Sequence, residues 1–275
     1  MHVTRNRAQR LLALDGRRNV YNYIHEMGYD PTSTTTVTTP LDPNIVYSQE
    51  DCPAEVDVDL RAKVWAAHGK LIHLAVWSRP DLAHAVSVLG RYVHNRSQKL
   101  WLAYHRIAKY LIRTNFRLVF GTNDPLRRTE PYGFTDSDWA ANLDNRKSTG
   151  AYLFLLDGAS CSWRVKMSPT VCLSTQPAEY YALSEGTKEA LNLRFLLRDL
   201  GFGQTLPTML FCDNKGAITM ALHPANKPAS QPTPDMVADF MIKQTHRLTY
   251  EHHCRRVFGN QHAPIPLEPI VRVLA

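Results

Sequence analysis

"YGFTDSDWA", residues 132–140, decides the fold. Tyr132, Phe134 and Trp139 favour a strand, and in an extended chain Asp136 and Asp138 share one face. Acids are poor strand residues and costly to bury, so that face must meet something that accepts negative charge. Downstream, "GAYLFLL" reads as a second, strongly apolar strand, Asp157-Gly158 as a hairpin turn, and "ASCSWRVKM" as a returning third strand. "AEYYALSEGTKEALNLRFLLRDLG" predicts a long helix stopped by Gly201; "TMLFC" predicts a fourth strand and "KGAITMAL" a short helix. After a loop with prolines at 224, 228, 232 and 234, "PDMVADFMIK" predicts a last helix. Three antiparallel strands followed by a strand–helix crossover make an α/β fold, a mixed sheet with helices packed on it.

Upstream, residues 1 to about 30 read as a strand and a helix, and "PTSTTTVTTPLDPN" as an exposed linker. From 53 to 114 the pattern is helical. In "SRPDLAHAVSVLGRYV", Ser78 and Asp81 have capping-box spacing with Pro80 in the first turn. Leu82, Val86, Leu89 and Val93 form one apolar stripe, and Leu100, Tyr104, Ile107 and Leu111 another, which predicts a paired helical hairpin.

The 275 residues suffice for one large domain or two ordinary ones, and 44% hydrophobic with 21% charged residues is normal for a folded soluble protein. A formal charge of +7 weakly favours a polyanionic partner. The 5 cysteines are widely spaced with no C-x-x-C pair, which indicates neither a zinc ribbon nor a disulfide framework. No apolar run approaches membrane-spanning length, and the basic start lacks the apolar stretch of a signal peptide.

The acids then acquire a pattern. Asp136 lies on the first strand, Glu179 in the first turn of the long helix, Asp213 at the end of the fourth strand, and Asp239 in the last helix. Asp235 lies one turn before Asp239. Each alone has an ordinary explanation: a strand edge, a helix-dipole acid, a cap shared with Asn214, a solvated surface. Together, carboxylates on otherwise apolar elements need a strong counter-charge, and oxygen-rich clusters suit Mg²⁺ and Mn²⁺. The 12 histidines lack metal-helix spacing. Cys212 reads as a buried strand residue, and Ser174 and Thr175 as caps.

"YGFTDSDWAANLDNRKSTGAYLFLL", "CSWRVKM", "VCLSTQPAEYYALSEGTKEALNLRFLL", "LFCDNKGAI" and "PTPDMVADFMIK" resemble, in order, blocks of the ribonuclease H domain of copia-type LTR retrotransposon Pol polyproteins. "TTPLDPN", "HGKLIHLAVWSRPDLAHAVSVLGRYV" and "KLWLAYHRIAKYLIRT" resemble the stretch linking reverse transcriptase to that domain. The resemblance implies the end of a reverse transcriptase-like domain over 1–30, a linker over 31–52 and a helical connection region over 53–126. It implies a ribonuclease H-like domain over 127–259, a mixed five-stranded sheet with helices on both faces, and leaves 260–275 unassigned. It further implies that Asp136, Glu179, Asp213 and Asp239 hold two Mg²⁺ (or Mn²⁺) ions. Asp136 would lie between both, Glu179 and Asp213 would favour one, and Asp239 the other. The substrate implied is the RNA strand of an RNA–DNA hybrid. Arg146, Lys147 and Ser148 are either phosphate contacts or a solvated turn. The partners implied are the hybrid and the upstream reverse transcriptase domain of a full-length polyprotein, in cytoplasm or nucleus, with no membrane.

Two departures from the family pattern shape the expectations. No Y-x-D-D-like motif precedes the linker, and the chain begins too late for palm and fingers, so no polymerase activity is expected. Between Leu222 and Asp235 the chain is also too short for the family's further helix and edge strand, which need roughly 25–30 residues. A four-stranded sheet with an exposed edge, and cleavage impaired by the deletion, would follow in a fragment or decayed copy. The alternatives are a non-catalytic remnant that at most binds nucleic acid, and a helical interaction module over 53–114.

Overall fold

The structure, a computed structural model, describes residues 1–222 except 35, 52, 54–56, 95–96 and 122–129, together with 271–273. The predicted last helix, with Asp235 and Asp239, lies outside the described residues.

The quoted stretch forms β4 (Tyr132–Asp138), which pairs antiparallel with β5 (Thr149–Leu156), itself paired antiparallel with β6 (Ala159–Met167). Asp157 and Gly158 turn β5 into β6 with φ of 49° and 85°, the left-handed pair a tight hairpin needs. The long helix α5 (Thr175–Asp199) carries the chain back to β7 (Thr208–Phe211), parallel to β4. Gly201, at φ 85°, ends α5: its N–H donates to Arg198 O (2.9 Å) and the Phe202 N–H to Leu197 O (2.7 Å), a glycine-dependent stop. Helix α6 (Lys215–Leu222) follows. The sheet order is β6-β5-β4-β7-β8. The four strands in the expected order are joined at the β7 edge by β8 (Val271–Val273), a short antiparallel strand from the tail that the sequence left unassigned.

The N-terminal part departs from its reading. Residues 1–30 hold two strands before the helix: β1 (His2–Asn6) and β2 (Leu11–Asp15) form a hairpin ahead of α1 (Arg17–Glu26). Strand β3 (Leu118–Phe120), which sequence reading passed over, completes this small second sheet beside β2. Between them run α2 (Val58–Trp77), α3 (Ala83–Gly90) and α4 (Gln98–Arg113). Leu82, Leu89, Leu100, Tyr104, Ile107 and Leu111 are buried as expected.

The predicted capping box is not formed. Ser78 closes α2, and Asp81 instead accepts a two-pronged ion pair from Arg79 Nε and Nη2 (2.8 and 2.6 Å) and a hydrogen bond from Tyr110 Oη (2.7 Å). With Arg79 at 2% exposure, charge pairing outranks capping, because a buried guanidinium left alone would be far more costly than an uncapped turn. Nor is the linker wholly exposed: Thr39, Leu41 and Tyr47 are buried, and Arg106 of α4 reaches Asp42 and Thr39.

Strand alternation assigns the two faces of the large sheet. Tyr152, Phe154, Leu210 and Cys212 face Leu183, Ala190 and Leu193 of α5 and Ala217 of α6. Tyr132, Phe134, Ala151, Leu153, Leu155 and Phe211 join the core formed by α1–α4. Trp163 Nε1 of β6 donates to Ala75 O of α2 at 2.7 Å across that junction. The helical region and the sheet thus share one core.

Candidate active site

The β4–β7 pairing ends at Phe134↔Phe211, where the rings stack at 5.1 Å, yet β4 runs on to Asp138. Beyond that point β4 has β5 on one side and, among the described residues, no paired strand on the other, which leaves a notch in the sheet. Carrying the parallel register two residues further sets Asp213 level with Asp136 at the carboxyl ends of both strands, where open α/β sheets bind their ligands.

Glu179 enters the notch from α5. The helix starts at Thr175, so Glu179 sits one turn deeper than the sequence suggested, and Ser174 occupies the cap position without a side-chain cap bond. Ala178, Ala182, Leu183, Gly186, Ala190 and Leu193 carry the buried face of α5, and Glu179 is on it. The approach is close: a Cβ at Gly186 would lie 2.4 Å from Thr135 Cγ2, and one at Gly150 3.1 Å from Ala182 Cβ. That closeness brings Glu179 to the sheet. The Ser137 N–H donates to Asp136 Oδ1 (2.8 Å) and to Glu179 Oε1 (3.3 Å). Asp136 and Glu179 are 1% and 6% exposed. Side-chain ligand atoms of Glu179, Cys212 and Asp213 all lie within 4.8 Å of one another. Asn214, not Asp213, caps α6 by accepting from the Ala217 N–H (2.9 Å).

The donor set is hard. Burial first, then the charge of Glu179, with Asp213 and Asp136 adding, pushes the Cys212 thiol well above its ordinary range. Both effects disfavour the thiolate, the form in which a cysteine binds a metal. Three carboxylates remain, and oxygen donors of this kind fit Mg²⁺ or Mn²⁺.

The basic turn divides. Arg146 is exposed, in a left-handed conformation at φ 55°, and Lys147 is half-buried. Ser148 is buried, and its hydroxyl accepts from the Ala140 N–H (3.2 Å). Asn142, unnoticed in the sequence, organises this turn by accepting the Arg146 N–H on its carbonyl (2.7 Å) and the Asp144 N–H on Oδ1 (2.9 Å). The only available signal was an Asx-turn pattern in "NLDN".

A mixed sheet flanked by helices, with acids gathered at the carboxyl ends of adjacent parallel strands, is a ribonuclease H-like fold. The chain is 34% identical over 225 residues to the retrovirus-related Pol polyprotein from transposon TNT 1-94 of Nicotiana tabacum, covering 80% of this chain and 16% of that protein. It is 27% identical over 212 residues to that from transposon RE2 of Arabidopsis thaliana, covering 69% of this chain and 14% of that protein. It is also 40% identical over 127 residues to secreted RxLR effector protein 161 of Plasmopara viticola, covering 46% of this chain and 87% of that protein. The chain belongs to the copia-type retrotransposon Pol polyproteins, of which it spans a small part. No family model and no solved structure matches it.

Proposed function

We propose that this Pol segment is a ribonuclease H-type endonuclease that cuts the RNA strand of RNA–DNA hybrids. The observation that carries the reading is the position of Glu179, which shares the Ser137 N–H with Asp136 and has a ligand atom of Asp213 within 4.8 Å at the β4–β7 notch. These residues would hold two Mg²⁺ or Mn²⁺ ions, with Asp239 as the fourth ligand by family resemblance. When bound, such ions supply activation of the attacking water and charge stabilisation at the leaving 3′-oxygen. The chain's own part is to hold the carboxylates at one place. The Ser137 amide orients Asp136 and Glu179 together, and the stacked Phe134 and Phe211 rings lock the two strands whose ends carry Asp136 and Asp213. Arg146 and Lys147 lie on the turn that follows β4 and are the proposed backbone-phosphate contacts, with 2′-hydroxyls distinguishing RNA from DNA.

The test is cleavage of a labelled hybrid in Mg²⁺, with Asp136→Asn as control. The variant is expected to lose at least about 100-fold in rate and to keep its affinity for the hybrid, because a direct ligand costs more than the 10–100-fold typical of outer partners. Chelation should abolish cleavage. Salt-sensitive hybrid binding by the unaltered chain without any cleavage would sink the nuclease reading and leave a nucleic-acid-binding remnant.

A further inference from the structure

The overhang that makes the notch is also a mechanical weakness. Past Phe134, β5 is the one strand paired with β4 among the described residues, and a two-stranded end gains little stability from its own pairing. Yet catalytic carboxylates must be kept within roughly 0.5 Å of their working positions. Something must stiffen this end.

We propose that Arg91 is a positioning residue for the carboxylate notch, reaching from the helical layer to clamp the end of the β4–β5 pair. Arg91 follows α3 directly, so its backbone is fixed in the helical layer. Its Nη2 donates to Thr149 Oγ1 at 2.6 Å. Thr149 is the register partner of Asp138, and Asp138 lies two residues beyond Asp136 on the same strand face. The Asp138 charge acts on the Arg91 guanidinium as well, so the group bonded to β5 is drawn electrostatically toward β4. Arg91 Nε, also buried, has no hydrogen-bond partner among the described residues, so the bonds at the other end of the fork set the rotamer.

Neighbouring contacts act in the same direction. Asp144 in the β4–β5 turn acts on the Tyr92 hydroxyl and helps hold its pKa up, and Asp144 Oδ1 accepts from the Gln49 N–H at 3.1 Å. The segment that begins as a connection region thereby grips the turn carrying Arg146 and Lys147. Asp138, which the family pattern leaves without a metal-binding place, acquires a role as the counter-charge of the clamp.

This inference rests on the nuclease reading, so its test carries two readouts. The full chain, Arg91→Gln, Arg91→Lys and Thr149→Val are compared by Mn²⁺ titration followed by paramagnetic relaxation of water protons, and by steady-state hybrid cleavage. Arg91→Gln is expected to weaken Mn²⁺ binding and lower kcat by about 10–100-fold, the usual cost of an outer-sphere partner, with KM for the hybrid within about twofold. Thr149→Val should reproduce the loss, and it decides the matter if Arg91→Gln does not fold. Arg91→Lys should recover part of it, keeping the charge without the fork. Unchanged Mn²⁺ affinity in both Arg91→Gln and Thr149→Val overturns the proposal, as does a rise in KM alone, which would make Arg91 a direct hybrid contact. If the unaltered chain binds Mn²⁺ but cuts no hybrid, the nuclease reading falls and the Mn²⁺ comparison still decides the role of Arg91. If it binds no Mn²⁺, the clamp has no ion site to position and is overturned.

Discussion

Cys212 and Arg79 show how one side chain's surroundings settle its role. Cys212 lies under the charges of three carboxylates, and these together with its burial disfavour the thiolate. Cys212→Ala is therefore expected to leave Mg²⁺-dependent hybrid cleavage within about threefold of the parent, at a stability cost of about 1 kcal/mol for the small cavity. Loss of cleavage comparable to Asp136→Asn would make sulfur a ligand and overturn the hard-donor assignment. Arg79 presents the opposite case, a charge placed inside the protein. Its guanidinium also donates to Thr114 O (3.2 Å) and Thr114 Oγ1 (2.8 Å), so Arg79 joins the start of α3 to the end of α4. Arg79→Ala strands Asp81 in the core and is expected to cost about 3–5 kcal/mol in urea unfolding. A double change that removes both charges, Arg79→Met with Asp81→Leu, should recover most of that loss.

At the level of elements, α5 is the part on which the site turns. Its small residues let it approach the sheet closely, and Glu179 rides on that approach about two turns from Gly186. Gly186→Val would drive its side chain against Thr135 and push the helix off the strand. The expectation is about 1–3 kcal/mol of destabilisation by thermal melting, together with a loss of cleavage larger than that instability explains, because Glu179 moves with the helix. Unimpaired cleavage in a folded Gly186→Val protein would show that Glu179 does not depend on this packing. The other end of α5 is fixed by Arg194. It is buried, and it donates to Leu206 O (2.7 Å), Gln204 O (2.9 Å) and Thr208 Oγ1 (3.2 Å). One guanidinium therefore fastens the turn between α5 and β7, and with it the strand that ends at Asp213.

Over the whole molecule, the boundary drawn near residue 127 does not divide the core. The sheet face carrying Tyr132, Phe134, Leu153, Leu155 and Phe211 is covered by the helices before it. A chain starting at 127 would expose that face to water, at roughly 25 cal/mol for each Å² of apolar surface. It is expected to aggregate or to unfold without a cooperative transition by circular dichroism, whereas residues 1–275 melt as one unit. A soluble, cooperatively folding 127–275 fragment would show that the helical layer is dispensable. The reading of 53–114 as a free-standing interaction module fares no better, because the same helices spend their apolar stripes on this shared core. Among the described residues, no helix is long and apolar enough to cross a membrane.

Local sequence determined the strands β4 to β7, the turn at Asp157-Gly158, the long helix to Gly201 and the identity of the acids. Each depends on signals carried within a few residues: alternation, left-handed turn formers and a helix stop. Strands β3 and β8 escaped notice because three residues have too little periodicity to register; they exist only because an edge of another strand is there to receive them. Tertiary structure alone decided that Asp81 pairs instead of capping, that Ser148 is buried, and that Arg91 meets Thr149 across 58 positions of sequence. Burial and long-range charge pairing are properties of the assembled fold, and no local window of residues contains them.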